Sequence, residues 1–144
     1  MSAYRQILAA VDLSAGSERV VQQALDLAGR YGAEVRLLHV VEYMPVEPMG
    51  EALLPSVQIE EELLRGARVR LDRLAEQYGI AAAARLLRSG NIKIEILREA
   101  KDAGVDLIVL GSRERHGLAI MLNFTEDTVL HAAPCDVFAV RLTG

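Results

Sequence analysis

Apolar residues along this chain fall into two alternating patterns, and their order predicts the architecture. The run Ile7-Leu-Ala-Ala-Val11, closed by Asp12, is apolar at consecutive positions, as in a strand covered on both faces. Val20, Val21, Ala24, Leu25, Ala28 and Tyr31 then recur at helical spacing. Ser17 offers that helix a cap, Glu18 lies in its first turn, and Gly32 supplies a stop. Val35 to Val41 predicts a second buried strand. From Glu42 to Pro55, three prolines and Gly50 predict an irregular connection of a length usually reserved for functional or mobile loops. A long helix follows, capped by Ser56 and carrying Glu60, Glu61 and Glu62 near its start. Ile59, Leu63, Ala67, Leu71, Leu74 and Tyr78 form its buried stripe, and Gly79 ends it.

The alternation continues to the end of the chain. Ile80 to Arg88 predicts a weaker strand, which its four alanines assign to a sheet edge. Asn91 can cap a helix running through Ala103 to a stop at Gly104, although Ile92-Lys-Ile-Glu-Ile96 also alternates as a strand would. Asp106 to Leu110 predicts a fourth strand. Asn123-Phe-Thr-Glu126 has the form of a capping box for a short helix that Pro134 terminates, and Asp136 to Leu142 predicts the fifth strand. The order β-α-β-α-β-α-β-α-β predicts an α/β fold, an open parallel sheet with helices on both faces, in one domain over residues 1–144. Ligands of such sheets bind beyond the carboxyl ends of the strands, where strand order reverses. That directs attention to Asp12-Leu13-Ser14, to the residues after Val41 and to the loop from Gly111.

Composition narrows the function classes. A chain of 144 residues suits one domain, able to bury roughly two-thirds of its unfolded surface without staples. Hydrophobic residues make up 51%, yet no run approaches the ~18 consecutive apolar residues of a membrane span. The start MSAYRQILAAVDLS lacks the basic flank and apolar stretch of a signal peptide. The single cysteine, Cys135, can form no internal disulfide and fits a reducing cytosol. A net charge of −4 counts against a nucleic-acid binder. The expectation is a soluble cytoplasmic protein with neither nucleic acid nor membrane as partner.

The segments YRQILAAVDLS, RLLHVVE, SGN, DLIVLGSR and VLHAAPCDVFAV occur in that order along the whole chain. Together they resemble the universal stress protein family, and most closely its A-type branch. The resemblance implies strand order 3-2-1-4-5, with the first and fourth strands adjacent at the centre. It also implies a homodimer formed through the last strand, here Val137, Phe138, Ala139, Val140, Arg141 and Leu142; an exposed strand edge is a template for such pairing. Nucleotide-binding members carry glycine, two residues, glycine, nine residues, glycine and then serine or threonine. On this chain those positions hold Gly111, Glu114, Phe124 and Thr125, so two of the three glycines are replaced.

The replacements change the chemistry. Glycine permits positive φ and lets backbone N–H groups approach phosphate. Phe124 adds bulk at such a position, and Glu114, Glu126 and Asp127 add negative charge near the helix end that would hold the phosphate. Asn123 and Glu126 can satisfy those N–H groups internally, while Arg113, Arg115 and His116 favour an anion. Where the site is retained, the resemblance implies that Asp12, Leu13, Ser14, Val40, Val41, Gly111, Ser112, Arg113 and Thr125 hold ATP or AMP with Mg.

Simpler readings stand beside these. Asp12 suits an Asx turn as well as a ribose contact, and Ser14 and Ser17 read as caps, since no nucleophile elbow surrounds either. His39 reads as a core histidine, His116 as a solvated loop residue, and His131 as a cation near a helix end. Three scattered histidines and one cysteine give no metal spacing, and Cys135 reads as packing. Three functions follow: a homodimeric stress-response interaction module without ATP and without turnover; an ATP- or AMP-binding sensor with an altered phosphate loop; and an adenine-nucleotide hydrolase, for which no activated nucleophile is evident. A flavodoxin-like redox carrier shares the architecture, but aromatics are 4% and tryptophan is absent.

Overall fold

The structure is a computed structural model that describes residues 4–42, 53–113, 129 and 131–142. Its elements are β1 (Gln6–Ala10), α1 (Ser17–Tyr31), β2 (Glu34–Val41), α2 (Leu53–Gln77), a 3-10 turn (Ala82–Ala84), β3 (Arg85–Ser89), α3 (Ile92–Asp102), β4 (Leu107–Arg113) and β5 (Asp136–Leu142). Residues 129 and 131–132 are also helical. The five strands form one sheet in the order β3-β2-β1-β4-β5, with every neighbouring pair parallel. That order matches the one implied by the family resemblance.

Each face of the sheet carries its own core. Ile7 and Ala9 of β1, with Leu37, Leu107 and Val109, pack against Val20, Val21 and Ala24 of α1 and Leu71, Leu74 and Ala75 of α2. The alternate residues Leu8, Leu38, Ile108 and Leu110 pack on the other face against Ile96 and Ala100 of α3 and against Val129. Burial on both faces explains why these strands read as unbroken apolar runs. β1 to β3 step one way across the sheet, and β4 and β5 lie on the other side of β1. Crossovers of one hand therefore put α1 and α2 on one face and α3 on the other. The direction reverses between β1 and β4, so their carboxyl ends open the crevice.

Several element boundaries differ from the sequence expectation. The N-cap of α1 is Gly16, with no side-chain cap bond; Ser17 lies inside the helix with its hydroxyl turned to Asp12. α2 begins at Leu53, so Ser56 is within it and Pro55 falls in its first turn, where the missing N–H costs nothing. The stripe of α2 is buried from Ala67 to Leu74, and Tyr78 falls just past the helix and is half-buried; Ile59 and Leu63 are 49% and 45% exposed because no described element covers their end. The alanines of the expected third strand form the 3-10 turn instead, leaving β3 short, though at the sheet edge as expected. Asn91 does cap α3: its side chain accepts the Ile94 N–H at 3.0 Å, which decides the helix against the alternating-strand reading. β4 runs on through Arg113, which brings Gly111 into the strand.

Candidate functional site

The loop after β1 is shaped by one carboxylate. Asp12 Oδ1 accepts the Ser14 N–H at 2.9 Å, the Ser14 hydroxyl at 2.5 Å and the Ser17 hydroxyl at 3.2 Å. This is an Asx turn closed by two serines, so the turn reading of Asp12 holds. The caps expected of Ser14 and Ser17 do not form as such; both hydroxyls serve Asp12, and Ser17 is 3% exposed. The turn forces Leu13 to a φ of 63°, a positive value found at no other non-glycine among the described residues. A side chain at such φ is disfavoured by about 1–2 kcal/mol, so the surrounding bonds must hold it. One of them is the Leu13 carbonyl, which accepts Arg70 Nη2 of α2 at 2.6 Å.

The end of β2 lies beside this loop. Val40 and Val41 are 5% and 8% exposed, so their side chains belong to the interior, and the Val41 carbonyl accepts the Gly90 N–H at 3.0 Å. His39 is half-buried, and its Nδ1–H donates to the Val11 carbonyl at 2.8 Å. Burial holds this imidazole below its ordinary value of 6.5; the Val11 bond raises it and the Arg70 charge lowers it further. His39 is thus a neutral, satisfied strand histidine, as the sequence suggested.

Gly111 faces β5 and α1. A Cβ there would stand 2.5 Å from Leu142 Cδ1, 3.3 Å from Leu142 Cγ and 3.4 Å from Val20 Cγ2. No side chain fits without displacing packed atoms, and Gly111 is not among the glycines with positive φ. Glycine is therefore required here by close packing. Ser112 pairs in register with Arg141, and Arg113 with Leu142. The Arg113 side chain lies outside the described residues, as do Glu114, Arg115, His116, Asn123, Phe124, Thr125, Glu126 and Asp127 and the greater part of the 42–55 connection. The structure thus brings Asp12, Leu13, Ser14, Val40, Val41, Gly111 and Ser112 to the carboxyl ends of three adjacent strands.

A family model described as the universal stress protein family matches residues 3–141. The chain belongs to that family. Two relatives from Coxiella burnetii are named universal stress protein A homologs. Homolog 2 is 37% identical over 145 residues, covering 100% of this chain and 99% of its own. Homolog 1 is 35% identical over 138 residues, covering 95% and 96%. Among solved structures, the universal stress protein UspA from Lactobacillus plantarum aligns with a TM-score of 0.80 at 23% identity, covering 96% of this chain and 98% of that one. At that identity the likeness concerns the fold. Family membership carries a stress-response role.

Other groups in this universal stress protein complete the chemistry. Among the described residues no group of three or more His, Cys, Asp or Glu stands close enough to hold a metal, and no helix is long and apolar enough to cross a membrane. Cys135 is half-buried, and burial, with Asp136 and Asp106 nearby, pushes its thiol up, away from the reactive thiolate. Packing against the second core is the role its surroundings give it. Sequence reasoning missed Arg70. One sign was legible: its helix neighbours three and four residues away are Ala67, Arg73, Gly66 and Leu74, so no acid is positioned to pair with it.

Proposed function

We propose that this chain acts in the cytoplasm as a homodimeric interaction module of the stress response, without ATP as a resident ligand and without catalytic turnover. The observation that carries the reading is Gly111. It is the one glycine left from the family's nucleotide pattern, and its contacts with Leu142 and Val20 account for it without a phosphate. The internal saturation of Asp12 Oδ1 by two serines supports the same reading, as does the similarity to proteins named A homologs. Assembly through β5 is supported by its position at the sheet edge and by Phe138, Ala139 and Arg141, which are exposed along it, Phe138 at 38%.

A second reading, an ATP- or AMP-binding sensor, is favoured by the convergence of Asp12, Val40 and Gly111 on adjacent strand ends. Calorimetric titration of dialysed protein with Mg-ATP separates the two. The first reading expects no saturable heat up to millimolar ATP in folded protein; a micromolar isotherm establishes the second. Sedimentation of wild type and of Phe138→Asp tests the dimer. Wild type is expected at twice the monomer mass and the variant at the monomer mass, whereas a wild type that sediments as a monomer refutes β5 assembly.

A further inference from the structure

A cleft of about 190 Å³ lies between the β1–α1 loop and α2, away from the β4 end of the crevice. Leu13, Ser14 and Ser17 form one wall, Arg70, Arg73 and Gln77 the other, and Leu74 also lines it. Most cations of the middle of the chain are matched with acids: Arg68 and Arg85 share Asp72, Arg85 also reaches Glu76, and Arg36 and Arg88 share Glu99. Arg70 and Arg73 differ. Neither has a carboxylate within ion-pairing distance among the described residues, and both line the same cleft. Two acids are held by residues that line it: Glu18 accepts Gln77 Nε2 at 2.6 Å, and Asp12 Oδ1 accepts the hydroxyls of Ser14 and Ser17.

Arg70 is also fixed in place. One of its five N–H donors is spent on the Leu13 carbonyl at 2.6 Å, and the planar fork then sets the direction of the others. Ser14, half-buried on the opposite wall, has its hydroxyl and backbone N–H donating to Asp12 Oδ1, so among the described residues the donors that face the cleft unpaired with acid are those of Arg70 and Arg73. We infer that the cleft between the β1–α1 loop and α2 binds the phosphate group of a small molecule, with Arg70 and Arg73 as its ligands and Ser14 beside them. Two planar forks three residues apart on a helix suit a phosphate, whose three or four oxygens can meet both, whereas the two oxygens of a carboxylate are filled by one fork. None of the glycine-pattern positions lines the cleft, while Leu13 and Ser14 are shared with the residues that would hold ATP at the strand ends.

The test is a titration of the full-length protein with inorganic phosphate at constant ionic strength, followed by NMR of the arginine Nε–H groups and of the His39 ring. Binding is expected to shift Arg70 and Arg73 saturably in the millimolar range. It should also raise the pKa of His39, because the Arg70 charge that now lowers it is partly neutralised. Arg73→Gln, which breaks no described contact, should weaken binding at least tenfold with an unchanged melting temperature; Arg70→Lys should weaken it while retaining the charge. A parallel titration with glycerol phosphate distinguishes an ester from the free anion, and saturation by either supports the assignment. Identical shifts with sodium chloride, no shift up to tens of millimolar phosphate, or undiminished binding in Arg73→Gln overturns it. A response to an acidic peptide alone overturns it as well.

Discussion

Replacing Gly111 by alanine asks whether this glycine serves packing. The added Cβ would stand 2.5 Å from Leu142 Cδ1, whereas non-bonded carbons rest about 3.5–4.0 Å apart. Leu142 must move by roughly 1 Å, yet it is 6% exposed, and Val20 on the far side is 2% exposed. Overpacking of this kind costs about 1–3 kcal/mol. Because φ at Gly111 is not positive, alanine also stiffens the unfolded chain and returns about 0.4–1 kcal/mol. The net expectation is a loss of about 1–2 kcal/mol, or a fall in Tm of roughly 3–6 °C for a chain of this size. Leu142→Ala alone should cost about 2–3 kcal/mol through lost burial. In the double variant the clash is gone, so Gly111→Ala should become neutral and the cycle should show about 1–2 kcal/mol of coupling. Urea unfolding at two protein concentrations measures this while separating any contribution from assembly. A Gly111→Ala variant as stable as wild type, or one equally costly in both backgrounds, refutes the steric reasoning.

Two further predictions concern single contacts. Asn91→Ala removes the acceptor of the Ile94 N–H and should destabilise by about 1 kcal/mol, with Asn91→Asp close to wild type in the same denaturation assay. His39 binds its proton less readily folded than unfolded, so stability is fully present above pH 6.5, the ordinary value. It declines as pH falls through that value and levels off below the folded one. His39→Gln, which can still donate to the Val11 carbonyl, should flatten this decline between pH 7.5 and 5.5; a variant with the wild-type slope removes His39 as its source.

The identity and type of most elements were legible because their causes are local. Consecutive apolar residues mark strands covered on both faces, a helical repeat marks α1, and Asn91 caps α3 through a side chain three residues from its target. Gly32, Gly79 and Gly104, at φ of 67°, 70° and 63°, end helices as their positions predicted. Local signals also misled. Ser17 has the chemistry of a cap, but Asp12 folded back within reach and took its hydroxyl. Ser56 has the same chemistry, yet α2 starts ahead of it at Leu53. Ile59 and Leu63 continue a stripe whose cover the pattern cannot supply.

What the sequence determined by itself is the alternation of strands and helices, because periodicity, capping and glycine freedom act over a few residues. The parallel register that sets Gly111 against β5, the reversal beside β1 and the meeting of Arg70 with the Leu13 carbonyl were decided only in the tertiary structure. Each depends on which strand or helix lies next to which. That is a property of the whole packed sheet, and no stretch of a few residues encodes it.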